Sequence, residues 1–328
     1  MTRGHMQRRQ VLAGIGALSC LPGAATAWAQ SYPTEPVRMI VPVPAGGVTD
    51  LLARLVGQGL GEIWGQSVVV ENRPGGNYGV GSQAVARAKP DGHTLLVTAD
   101  STFTANPFLF SKLIYKTEEF EPISLLSRAT PMFVVNAEVP AKTVGEYVAH
   151  VKSRPGALNY GSYGLGTYAH LGMEDFKTRT GTNIVHVPYS GAAPALEGLL
   201  RGDISVLLLN LSSIEQHEQS GKLRILASAG RKRASAKPEF PTMDEAGVKD
   251  FETSAWFGMF GPAAMPKAII EKINADVQRV LQSPKIQELF RKNSFETELL
   301  TPGEMRQLVE RDSRYWSNII TSVGIKLD

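Results

Sequence analysis

Apolar positions along this chain follow two alternating rhythms. Val37 to Val43 is a short run rich in branched residues that stops at Pro44-Ala45-Gly46-Gly47, the pattern of a buried strand closed by a turn. From Thr49 to Ile63, Leu51, Leu52, Leu55, Val56 and Leu60 recur on one helical face. Ser67 to Glu71 predicts a second strand, Val80 to Lys89 a helix, and Thr94 to Thr98 a third strand after the Pro90-Asp91-Gly92 turn. This β-α-β-α-β order predicts a parallel sheet covered by helices.

The pattern then restarts. Strands are expected at Met132 to Asn136, Leu158 to Gly161, Ile184 to Pro188, Ile204 to Leu209 and Leu223 to Ala229. Helices are expected at Val144 to Ser153, Tyr168 to Thr178 and Ala193 to Arg201. The charged, proline-containing stretch Arg231 to Pro241 reads as a surface loop. Phe257 to Phe260 is a further strand, Pro266 to Gln282 a long amphipathic helix, and Ser283 to Asp328 a helical tail. Two α/β units predict two domains.

The first thirty residues are of another kind. Arg3, Arg8 and Arg9 precede an apolar stretch, Val11 to Ala25, and Ala27-Trp28-Ala29 offers small residues where a signal peptidase reads, so cleavage after Ala29 is expected. The stretch is broken by glycine and too short for a good spanning helix, which needs about 20 apolar residues. Arg8-Arg9 fits a twin-arginine signal as well as an ordinary secretory one. The chain's single cysteine, Cys20, lies in this leader, and Ala17-Leu18-Ser19-Cys20 matches a lipoprotein site only loosely. Removing the leader takes three of the 34 Lys and Arg residues and none of the 31 acids, so the mature chain is formally neutral. Neutrality gives no support for nucleic-acid binding or adhesion to anionic membranes.

Candidate chemistry sits in two glycine-rich strand-to-helix turns. Pro42 to Asp50 carries Gly46-Gly47, and Tyr160 to Thr167 carries Gly161, Gly164 and Gly166 before the helix that contains His170. Adjacent glycines let a backbone approach a ligand closely, and a helix start offers free N–H groups and the positive end of a dipole. Such a turn binds an anion without a cationic side chain; a plain connecting turn, with Asp50 only favouring the first helical turn, is the simpler alternative. One turn per unit predicts an anion held between two domains that close on it. Most enzyme signatures are absent: neither turn has Gly-Lys-Ser/Thr, a complete G-x-G-x-x-G or a G-x-S-x-G elbow, while an Asp/Glu pair for glycoside chemistry, drawn from distant segments, stays open to spacing. His93, His150, His170, His186 and His217 never fall at metal-ligand spacing, so neither a metal site nor a cofactor is expected.

The chain resembles the Bug-type extracytoplasmic solute receptors of the tripartite tricarboxylate transporter group. The resemblance runs from Tyr32 to the C-terminus through Val41-Pro42 to Asp50 and Arg54, Val70-Glu71-Asn72-Arg73-Pro74-Gly75, and Pro90-Asp91-Gly92-His93-Thr94-Leu95-Leu96. It continues in Tyr160-Gly161-Ser162 to His170-Leu171, His186-Val187-Pro188-Tyr189, Gly191-Ala192-Ala193-Pro194-Ala195, Phe240 to Gly247, and Ala255-Trp256-Phe257-Gly258. The resemblance implies an α/β type II periplasmic binding protein: two Rossmann-like domains, a two-segment hinge and a cleft between them. Domain one would comprise 30–131 and 252–328, domain two 132–251. It implies a periplasmic, monomeric receptor that hands a small organic carboxylate to membrane permease subunits. Ala45, Gly46, Gly47 and Asp50 would bind from domain one, and Ser162, Gly164, Gly166, Thr167 and His170 from domain two. Asn77, Tyr78, Ser101 and Thr102 are weaker candidates in further strand-end loops.

Two departures bear on the ligand. Many members of that group have Asp before the residue matching Asn210, where this chain has Leu209, and Lys where it has Ser190. If Leu209 faces the ligand, loss of the acid favours a dicarboxylate or aromatic carboxylate over an amino acid. The competing functions are a secreted hydrolase of a carboxylated substrate and a periplasmic sensor or interaction module.

Overall fold

A computed structural model describes residues 32–327 apart from 254, 293 and 294. The expected leader, including Cys20 and the cleavage position at Ala29, lies outside the described residues.

The first half builds β1 (Val37–Val41), α1 (Val48–Trp64), β2 (Val68–Asn72), α2 (Gly79–Ala86) and β3 (Thr94–Ala99). Two single-turn helices follow, α3 (Ser101–Thr104) and α4 (Asn106–Leu109), then the long strand β4 (Phe120–Ala129). The second half builds β5 (Pro131–Asn136), α5 (Val144–Lys152), β6 (Asn159–Ser162), α6 (Tyr168–Thr180), β7 (Val185–Pro188), α7 (Ala192–Arg201), β8 (Val206–Asn210), α8 (Leu211–Gln219) and β9 (Leu223–Ser228). The chain then returns as β10 (Ala255–Pro262), α9 (Lys267–Leu281), α10 (Pro284–Lys292) and α11 (Pro302–Val323).

The strands form two five-stranded sheets, β2-β1-β3-β10-β4 and β7-β6-β8-β5-β9. The parallel pairing expected from the β-α-β-α-β order is found in both sheets, and each adds one reversed strand. β1 pairs parallel with β2 and β3, and β6 parallel with β7 and β8, but β10 runs antiparallel to β3 and β4, and β5 antiparallel to β8 and β9. Each sheet thus has four strands running one way and a single reversed strand, β10 or β5, in fourth place, in matching order, and this is the two-domain type II architecture.

Besides the single-turn helices α3 and α4, two longer elements escaped the periodicity for identifiable reasons. Both faces of β4 are covered, so Ser124 and Ser127 are fully buried and no alternation shows. Helix α8 begins directly at the end of β8, and only Leu211 and Ile214 mark its buried face.

Each sheet has its own core, and a third cluster joins them. Leu171 on α6 packs with Ala105 and Leu109 beside the first sheet and with Trp316, Ile319 and Ile320 of α11, all nearly sealed from solvent. Tyr315 adds a polar tie by donating to Asp175 Oδ2 at 2.7 Å. The C-terminal helix therefore contacts both lobes. Leu171→Ala should open a cavity in this junction and lower the unfolding free energy by about 2–4 kcal/mol, measured by urea denaturation; a loss below about 1 kcal/mol would mean that the junction repacks freely.

Candidate functional site

The register of the sheets brings one set of loops together. The parallel strands of the first sheet end at Val41, Asn72 and Ala99, and β10 pairs Phe257 with Ala99, so β10 starts and β4 ends at that same edge. In the second sheet β6, β7 and β8 end at Ser162, Pro188 and Asn210, and β5 begins opposite Asn210. Both connections between the sheets, at Thr130 and between β9 and β10, leave from these edges. The two glycine-rich turns occupy equivalent places, each after the second strand in sheet order.

Four helices that start at these edges have no side-chain cap. The residues before their first turns are Gly47, Tyr78, Gly191 and Asn210, and none caps a backbone N–H with its side chain. At the same edge Thr167 caps α6 and Asp100 takes the first amide of α3; elsewhere Thr143 and Thr301 cap α5 and α11, and α9 begins behind Pro266 without a cap. Uncapped first-turn amides at the edge between lobes form a positive, donor-rich lining suited to an anion.

In the first turn, Ala45, Gly46 and Gly47 are exposed, while Asp50 is 4% exposed. Gly46 has φ +91, a left-handed conformation that favours glycine. Its N–H donates to Asp50 Oδ2 at 3.0 Å, Arg54 pairs with the same carboxylate, and Asn72 Nδ2 donates to Oδ1 at 2.9 Å. These partners, the Arg54 hydrogen bond foremost, pull the Asp50 carboxyl down to about 2. The sequence reading of Asp50 as a helix-start residue was incomplete: its carboxylate locks the turn and consumes one of the amides expected to meet a ligand.

The second turn uses the same device. Gly166, with φ +76, donates its N–H to His170 Nδ1 at 3.1 Å, again a side chain four residues on. This requires the His170 proton on Nε2. Thr167 caps α6 and donates to the Gly164 carbonyl at 2.8 Å. Ser162 Oγ contacts His186 Nε2 at 2.7 Å and the Gly164 carbonyl at 3.1 Å. His186 is stacked between Tyr160 and His170, with centroids 4.7 and 4.2 Å away. Burial lowers both histidines, and with the His170 ring nearby brings His186 to about 4. Ser162 is sealed from solvent, so its contact with His186 fixes the turn rather than presenting a nucleophile.

A third element was missed at the sequence level. Asp100 follows β3, is 6% exposed, and accepts the Ser101 amide at 2.7 Å. Desolvation, with Asp312 adding like charge, raises its carboxyl to about 7 against the lowering by backbone donors and Arg128. Tyr78 lies on its own lobe and hydrogen-bonds Ser101; Tyr163 and Tyr168 reach it from the other lobe. Tyr163 and Tyr168 meet edge to face at 5.3 Å, and Tyr168 donates to Asn210 Oδ1 at 3.2 Å.

Other candidates fall elsewhere. Leu209 packs into the second lobe's core with Met132 and Leu207, so it does not face a ligand, and the argument from its missing acid loses its footing. Thr102 is sealed, its hydroxyl against Thr98 Oγ1 at 2.6 Å, because α3 turns it back into the core. Asn77 is exposed at φ 49, its carbonyl held by Asn106 Nδ2 at 2.9 Å. A groove of about 700 Å³ opens beside Thr130, Leu211, Phe290 and Phe295, with neither glycine-rich turn in its lining. Among the described residues no group of three His, Cys, Asp or Glu side chains is placed to hold a metal.

Two lobes, a double connection and donor-lined helix starts at the shared edge define a solute-binding receptor rather than an enzyme. The profile of the tripartite tricarboxylate transporter family receptor matches residues 52–325, and the chain belongs to that family. It is 33% identical to Protein BugT of Bordetella pertussis over 98% of this chain and 100% of that protein. Among solved structures it resembles R. palustris Rpa4515 with adipate, at TM-score 0.78 and 32% identity over 90% of this chain and 99% of that one. MatC from Rhodopseudomonas palustris with bound malate gives 0.73 and 29%, over 88% of this chain and all of that one.

Two predictions follow from this geometry. Asp50→Ala strands the Gly46 amide and Asn72, and should cost about 1–3 kcal/mol of folding free energy at pH 7, measured by denaturant titration. Asp100 has a raised carboxyl, so the folded state holds its proton more tightly than the unfolded chain. The resulting instability grows as pH rises above the ordinary 3.8 and is complete above about 7. Asp100→Asn should therefore raise Tm more at pH 8 than at pH 5 by calorimetry; equal shifts at both would show that Asp100 is ionised throughout.

Proposed function

We propose that this protein is a periplasmic receptor that captures a small organic carboxylate between its lobes and delivers it to the permease of a tripartite tricarboxylate transporter. The observation that carries this reading is the set of uncapped helix starts along the shared edge. The adipate- and malate-bound relatives support the carboxylate class and, within it, a dicarboxylate. Amides of Ala45, Gly47 and the first turn of α1 meet the carboxylate from one lobe, and those around Gly164 and Thr167 from the other. Asp50, Ser162 and His170 hold the turns in shape; Asn77, Tyr78 and Ser101 line the mouth.

The closing bodies are 30–131 with 252–328, and 132–251, moving as a monomer after the leader is cleaved behind Ala29. Exposed Leu51 and Leu165 flank the two turns and suit a ligand with an apolar body.

Gly46 and Gly164 have φ +91 and +138, conformations that strain any residue with a Cβ, and a Cβ at Gly46 would project into open space where a ligand would approach. Gly46→Val and Gly164→Val should each weaken carboxylate binding at least tenfold by calorimetry while circular dichroism stays native. Affinities within twofold of the parent in both would place the carboxylate elsewhere. Absence of any thermal stabilisation by a broad carboxylate panel would favour an interaction module instead.

A further inference from the structure

We propose that Asp100 is a specificity-determining residue that shares a proton with the second carboxyl group of a dicarboxylate, so that ligand capture takes up a proton from solvent. This rests on the carboxylate-capture reading and adds to it the far end of the ligand.

Asp100 and Asn210 stand at equivalent points of the two lobes. Each precedes the helix that follows the third parallel strand, and each therefore lies at the shared edge. Around Asp100 are Tyr78 from its own lobe and Tyr163 and Tyr168 from the other, each close enough for its charge to bear on their ionisation. Among the described residues no Lys or Arg forms an ion pair with Asp100. Arg128 is engaged by Glu298, and Asp312 takes the Trp256 indole N–H at 2.8 Å and an ion pair with Arg311.

What remains around Asp100 is rich in donors. The Tyr163 hydroxyl is buried and finds no partner of good hydrogen-bond geometry. Tyr168 spends its proton on Asn210 Oδ1, which turns the Asn210 amide nitrogen, a donor, to the other side. Spare donors call for an acceptor-rich group, and a carboxylate supplies four lone-pair sites where an ammonium supplies none. Placing that carboxylate beside a buried aspartate sets two like charges in a poorly solvated space, where only one ionises. The proton comes from solvent and lies between an Asp100 oxygen and a ligand oxygen; no other bond changes. The raised carboxyl of Asp100 lowers the cost of taking that proton near neutral pH. The groups facing it are Tyr78, Tyr163, Tyr168, Asp312 and Arg128, and the tyrosines stay neutral throughout.

Calorimetric titration with adipate, malate and succinate in phosphate and in Tris tests this, because the difference in heat between the buffers counts protons. At pH 8 the parent should take up about one proton per ligand, falling toward zero at pH 5.5, with affinity dropping about tenfold per pH unit above 8. Asp100→Asn, checked for native circular dichroism, should show no uptake at pH 8. Dicarboxylate binding without proton uptake, or equal uptake in Asp100→Asn, overturns the inference and leaves the capture reading standing. Tighter binding of aspartate than succinate without uptake overturns it in favour of an ammonium on Asp100. No binding by any carboxylate removes the capture reading and this inference together.

Discussion

A positive-φ glycine at the head of a helix exposes a backbone donor that must be satisfied, and this protein solves the problem twice in one way. Gly46 gives its N–H to Asp50, and Gly166 gives its N–H to His170, each a side chain four residues on. The two acceptors differ in charge but share a role: each fixes the turn ahead of its helix. Further groups lock each acceptor in turn. Arg54 and Asn72 fix the Asp50 carboxylate, and stacking on His186, itself stacked on Tyr160, fixes the His170 ring. A ligand-binding surface made of backbone is only as ordered as the side chains behind it.

The same economy explains how the lobes are joined. Sheets of matching order put both chain crossings at the edge where the turns lie. The apolar cluster of Leu171, Leu109 and α11 spans both lobes and keeps Trp316 and Ile320 covered. Gly166 sits against it, since a Cβ there would come within 2.7 Å of Leu109 and 3.2 Å of Leu327. The second turn is thus seated partly on the first lobe, and its shape depends on the junction as well as on its own hydrogen bonds.

Strand and helix positions in the three-parallel-strand core of each lobe were legible because short branched runs ending in Gly and Pro leave few alternatives. Sequence also determined the two glycine-rich turns, the lack of a metal or nucleophile signature, and the family, whose short motifs keep their order along the chain. It did not determine the direction of β5 and β10, because an apolar run reads the same whichever way its neighbour points. It could not show that Leu209 turns inward, since one residue's step along a strand exchanges its faces, nor that the short helix α3 carries Thr102 back into the core. Nor could it find Asp100, an unremarkable acid between Ala99 and Ser101 until the second lobe closes Tyr163 and Tyr168 over it. Periodicity and turn chemistry are local and survive in the sequence; burial, and the charge behaviour that burial creates, arise only when distant segments remove the water.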